Sequence, residues 1–121
     1  MSERETKLYL TDILEAIEAA EEYVAGIDFE KFVSDRKTYG ATIRELEIIG
    51  EASAQLPDDF KVSHPAIPWR LMKDFRNVLS HHYFGVNFEI VWDIVQHKLP
   101  ELKVQVDKIV MPENKPEINL T

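Results

Sequence analysis

Eight apolar residues, Phe88, Val91, Trp92, Val95, Leu99, Leu102, Val106 and Ile109, recur three or four positions apart near the end of the chain. That period lays them along one face of an α-helix and is incompatible with a half-buried strand, which would alternate every second residue. Asn87 stands where such a helix needs its N-cap. Pro100 is expected to kink the helix or split it in two, because proline lacks an N–H and its ring crowds the carbonyl four residues back.

The same period recurs upstream. Leu10, Ile13, Leu14, Ile17 and Val24 predict a helix over about residues 4–25, ended by Gly26. Asp28 can cap a short turn through Phe29, Phe32 and Val33. A second long helix is expected over 36–56, with Leu46, Ile49, Gly50, Ser53 and Leu56 on one stripe and Ala41, Ile48 and Ala52 opposite. A helix apolar on two sides calls for two partners, one of which can belong to another subunit. Gly50 costs about 1 kcal/mol relative to alanine inside a helix, so close packing is expected there. Residues 57–68, with Pro57, Pro65 and Pro68, read as a connector, and Pro68 suits the first turn of a third helix over 68–81. The expectation is one all-α domain over residues 1–110, an antiparallel bundle of four to five helices. A frayed tail, 111–121, containing Pro112 and Pro116, should follow.

Composition narrows the function. At 121 residues and 45% apolar content the chain can bury one core and is not disordered throughout. No apolar run approaches the roughly 20 residues a membrane span requires, and the first residues, Met1-Ser2-Glu3-Arg4-Glu5, lack the layout of a secretory signal. The absence of cysteine excludes disulfides, thiolate metal sites and a cysteine nucleophile, and fits a cytoplasmic location. A net charge of −8 argues against nonspecific nucleic-acid binding. The charge is uneven, however. From Lys61 to Tyr83 four bases (Lys61, Arg70, Lys73, Arg76) face one acid, Asp74, so that stretch carries +3 and the remainder −11. Such a segment can hold a phosphate, or can be an ordinary solvated surface.

The third helix has two faces. Leu71, Met72, Phe75, Val78 and Leu79 form the apolar one, while Lys73, Arg76, Asn77 and Ser80 make a cationic, donor-rich stripe. His81 and Tyr83 follow where the helix should end. Arg76 and His81 are about 140° apart around an ideal helix, so they converge only if the helix ends near His81 or a second subunit completes the site. A histidine at a helix C-terminus feels the negative end of the dipole, which favours its charged form. A titrating imidazole beside a guanidinium fork can cleave RNA without metal: histidine moves protons and arginine neutralises charge on the phosphorus. The alternative is a solvated face closed by two polar aromatic residues.

Arg76-Asn77-Val78-Leu79-Ser80-His81-His82-Tyr83 matches the pattern of Arg, four residues, His, any residue, Tyr. In this the chain resembles the HepT-like branch of the HEPN superfamily. The flanks are similar too, in the same order: Tyr9-Leu10-Thr11-Asp12-Ile13-Leu14, Ile48-Ile49-Gly50-Glu51-Ala52, Pro68-Trp69-Arg70 and Val91-Trp92-Asp93-Ile94-Val95. The likeness covers about residues 7–105. One departure is Asp74-Phe75, where the family often has Gly-Met before the arginine.

The resemblance implies a helical bundle that forms a C2 homodimer and brings two motifs to one cleft. It implies a metal-independent ribonuclease toxin, acting on tRNA or mRNA and paired with a small nucleotidyltransferase antitoxin. On these positions Arg76 would stabilise the transition state, His81 would transfer protons, and Asn77 would orient the phosphate or the partner histidine. Tyr83 would be the residue to which the antitoxin attaches AMP. Arg70, Lys73 and Ser80 are candidate RNA contacts. Glu51 could support Arg76 if the second and third helices pack together.

No cofactor is implied. His64, His81, His82 and His97 show no Glu-x-x-His or His-Glu-x-x-His spacing, so no metal centre is expected. His64 reads as a loop residue, His97 as a surface residue or cap, and Trp69 and Trp92 as core or interface. A binding module that mainly partners the nucleotidyltransferase, with little nuclease activity, is the alternative function, supported by the acidic net charge and Asp74. A plain helical scaffold is the third.

Overall fold

The helices up to residue 93 each begin after a side chain that can accept a hydrogen bond or after a proline, as the physics of unpaired first-turn N–H groups demands. A computed structural model describes residues 1–81 and 87–111, with side chains described outside 77–81. α1 (Glu3–Val24) starts at Ser2, whose hydroxyl accepts from the Glu5 N–H at 3.1 Å while the Glu5 carboxylate accepts from the Ser2 N–H at 3.0 Å. The hydrogen bonds from Ser2 hold the Glu5 carboxyl below its ordinary pKa. Two residues beyond α1, Gly26 takes φ +78°, a left-handed turn that a side chain would strain.

α2 (Phe29–Ser34) is capped by Asp28, and α3 (Arg36–Gln55) by Asp35. The Asp35 carboxylate accepts from the Thr38 hydroxyl at 2.9 Å and the Thr38 N–H at 3.3 Å, and these bonds lower its pKa. α4 (Asp58–Val62) is a short helix inside the expected connector, entered through Pro57. α5 (Trp69–His81) follows Pro68, whose carbonyl accepts from the Met72 N–H at 3.2 Å. Proline therefore stands one place earlier than expected, just outside the helix. Asn87 caps α6 (Phe88–Asp93) as expected, accepting from the N–H groups of Glu89 and Ile90.

The effect of Pro100 takes a specific form. A π-helical turn, Ile94–Lys98, joins α6 to α7 (Leu99–Val110), and the Leu99 N–H bonds to the Ile94 carbonyl five residues back. The wider turn makes room for the proline ring, and the helical run continues from Phe88 to Val110 through that turn. The expected tail beyond Met111 lies outside the described residues.

α1 lies against α3 and α7, and α3 against α5, with the core between them. Every residue of the predicted α1 stripe is buried, as are Leu46, Ile49 and Ser53 of α3, Leu56 just after it, and Val91, Val95, Leu99, Leu102 and Val106 near the end of the chain. The fold is all-α, and no strand occurs among the described residues. Phe32 anchors α2, with Tyr39, Phe88 and Trp92 set around it at centroid distances of 5.2–6.4 Å. Aromatic pairs of this kind contribute about 0.5–1.5 kcal/mol each beyond area burial. Trp92 is therefore a packing residue, as its sequence context suggested. Tyr23 on α1 donates to the Glu45 carboxylate on α3 at 3.0 Å, and this bond to an anion raises the phenol's pKa.

Candidate functional site

The polar face of α5 owes its position to Gly50. A Cβ built on Gly50 would lie 2.7 Å from the Arg76 Cβ and 3.0 Å from both the Arg76 nitrogen and the Met72 carbonyl oxygen. α3 and α5 thus touch backbone to backbone at the turn that carries Arg76, the close packing that an interior helical glycine implies. Met72 and Phe75 face the core, Leu71 is half-buried, and Arg70, Lys73 and Arg76 are exposed.

Arg76 stands on a ridge between two clefts. One, of about 430 Å³, lies between α1, α3 and α5 and presents Tyr9, Asp12, Glu51 and Gln55 beside Arg76. The other, of about 710 Å³, lies toward α4 and presents Lys61, Arg70, Lys73 and Asp74 beside the same arginine. The first is acidic apart from Arg76, and the second is basic. The Ile48 and Ala52 strip of α3 lines the first cleft, so this second apolar side of the helix is partly open to it.

Glu51 shares the first cleft with Arg76, as the packing of α3 on α5 allows, and its carboxylate is 3.9 Å from the Arg44 guanidinium. Asp74 forms no ion pair among the described residues, although the sequence placed three bases within four positions of it. Asn77, Ser80 and His81 occupy the last turn of α5, at backbone positions only. Positions 76 and 81 are therefore about 140° apart around one continuous helix and about 7.5 Å apart along it. Tyr83 lies outside the described residues.

The remaining candidates settle into structural roles. His64 lies in the loop after α4, its ring 4.3 Å from that of Phe60 and its Nδ1 3.0 Å from the Phe60 carbonyl. His97 is exposed and pairs with Asp93 at 3.0 Å. Trp69 is half-buried and donates its indole N–H to the carbonyls of Lys61 and His64. Among the described residues no three His, Asp or Glu side chains are grouped to hold a metal ion. No helix among them is long and apolar enough to cross a membrane.

Residues 13–109, from the third turn of α1 to the last turn of α7, match the family model for ribonuclease HepT-like proteins. The chain belongs to the HepT-like family. Over 106 residues it is 51% identical to a protein of Thermococcus cleftensis named probable ribonuclease HepT, covering 88% of this chain and 96% of that one. A putative RNase of Caldanaerobacter subterraneus subsp. tengcongensis is 44% identical over 105 residues, 87% of this chain and 94% of its own length. A putative RNase of Methanocaldococcus jannaschii is 41% identical over 110 residues, 91% of each chain. No solved structure gives a significant match. The HepT-like match includes both sides of the Gly50–Arg76 contact and the whole of α5.

Proposed function

We propose that this HepT-like protein is a metal-independent endoribonuclease, the toxin of a toxin–antitoxin pair that acts on tRNA or mRNA. The observation that carries the proposal is Arg76, rooted against Gly50 at the head of a basic cleft in a chain whose relatives are named ribonucleases. In the reaction a ribose 2′-oxygen attacks the adjacent phosphorus, and His81 accepts the 2′-hydroxyl proton. The bond to the 5′-oxygen breaks, and that oxygen takes a proton from the His81 of a second copy. Arg76 donates to the phosphate oxygens as their charge grows, and Asn77 orients the phosphate. The separation of positions 76 and 81 around α5 supports a site completed by a C2 partner. The expected products carry 2′,3′-cyclic phosphate and 5′-hydroxyl ends, readable by end-labelling.

Control resides in Tyr83. A partner nucleotidyltransferase attaches AMP to its hydroxyl and places negative charge and bulk where the RNA phosphate should sit. Incubation with that partner and ATP should raise the intact mass by AMP units and silence cleavage. Tyr83→Phe should take up no AMP at that position and stay active. Sedimentation at micromolar concentration should give a dimer, and a monomer would contradict the two-copy site.

Asp12 and Glu51, facing Arg76 across the smaller cleft, favour a second reading in which the chain is chiefly the nucleotidyltransferase's binding partner. That reading requires RNA to stay intact while complex formation survives His81→Ala.

A further inference from the structure

α4 lies within the connector between the long helices, and its last turn brings Lys61 to the same cleft as Arg70, Lys73 and Arg76. Lys61 is separated from Arg70 by a loop with two prolines, so their meeting depends on how the loop is closed. Trp69 closes it. Its indole N–H, on the first residue of α5, donates to the Lys61 carbonyl at 3.1 Å and the His64 carbonyl at 3.0 Å. Phe60 packs edge-on against the same indole at 6.0 Å, and its ring lies 4.3 Å from that of His64. The end of α4 is thus tied to the start of α5, and Lys61 is half-buried in place.

Arg44 faces Glu47 and Glu51, and Lys103 faces Glu18. Lys61, Arg70 and Lys73 make no ion pair among the described residues, and Asp74 is the one carboxylate beside them in the cleft. Arg70 and Arg76 are six residues apart, about 9 Å along the axis of α5 and about 120° around it, so the charge runs obliquely along the cleft that both line, with Lys73 between them, as an inclined row of cations. A line of cations suits a chain of phosphates better than a single anion. On the other side of Arg76, Asp12 and Glu51 repel phosphate.

We propose that the α4–α5 groove is the track for the RNA strand flanking the scissile phosphate, with Lys61 and Arg70 as phosphate contacts and Trp69 as the residue that positions Lys61. This rests on the ribonuclease reading for the identity of the polymer. It adds a side: the strand leaves Arg76 toward α4 and not toward α1.

Two measurements keep the two ideas separable. Binding is read by fluorescence anisotropy on a single-stranded, 2′-O-methylated RNA, which cannot be cut by 2′-oxygen attack. Cleavage is read on the unmodified RNA. Lys61→Ala and Arg70→Ala should each weaken binding several-fold, and the pair on the order of tenfold. Each should flatten the dependence of log K on log salt by about 0.7. Lys61→Arg should restore binding, and Lys108→Ala, on the far helix, should leave it unchanged. Trp69→Phe should shift binding in the direction of Lys61→Ala although it removes no charge. If the groove variants bind with wild-type affinity and slope, the track is overturned and the groove is left to an acidic protein segment, whether or not the wild type cuts RNA. If they weaken binding while the wild type cuts nothing, the track stands and the ribonuclease reading falls.

Discussion

Arg76→Ala is expected to reduce RNA cleavage by two to three orders of magnitude while leaving the bundle intact. Loss of one preorganised donor to a developing oxyanion typically costs about 10²–10³ in rate. Alanine keeps the Cβ that rests against Gly50, so the α3–α5 contact survives. Arg76 is exposed, so the change in stability should be small beside the change in rate. Arg76→Lys keeps the charge but loses the planar fork that grips two phosphate oxygens at once, so it should recover only part of the rate. Initial rates beside urea denaturation curves separate the two effects. A fall in rate matched by a fall in stability would mean that Arg76 is structural.

Gly50→Ala is expected to damage both fold and activity. Alanine improves helix propensity by about 1 kcal/mol, but its methyl would meet backbone atoms of Arg76 and Met72, which cannot swing aside as a side chain can. Overpacking of this kind typically costs about 1–3 kcal/mol, so a net loss of stability is expected. Relief comes from pushing α5 away from α3, and a catalytic group displaced by about 1 Å can lose on the order of a hundredfold in rate. Gly40 supplies the contrast. It lies in the same helix with nothing within 4 Å of its virtual Cβ, so Gly40→Ala should stabilise the protein by up to about 1 kcal/mol and leave cleavage alone. Equal behaviour of the two variants would contradict the close-contact account.

The helices were legible in the sequence because their apolar stripes are long and their caps have the right chemistry. Asn87 and Asp28 both cap as read, and the Gly50 contact followed from the cost of glycine inside a helix. α4 was missed because five residues hold too little periodicity to register, although Pro57 ahead of Asp58 and Asp59 has the form of a helix start. Pro100 implies a kink or a break, and sequence alone does not say that a π-helical turn will absorb it. In the site, Lys73 and Arg76, which the sequence puts on one polar stripe of α5, share the basic cleft with Arg70. The sequence shows Lys61 as charge but not as a neighbour of Arg70, because its approach depends on a hydrogen bond from Trp69 across eight residues. Glu51 reached the cleft of Arg76, and its partnership with Arg44, seven residues back on the same helix, was not anticipated.

The central claim, metal-independent cleavage of RNA by this HepT-like chain through His81, is tested most directly with AMP-free protein and total tRNA in EDTA, wild type beside His81→Ala. Products from the wild type alone are predicted, with the variant slower by about 10²–10⁴. RNA left intact by both proteins, or cut equally by both, would contradict it.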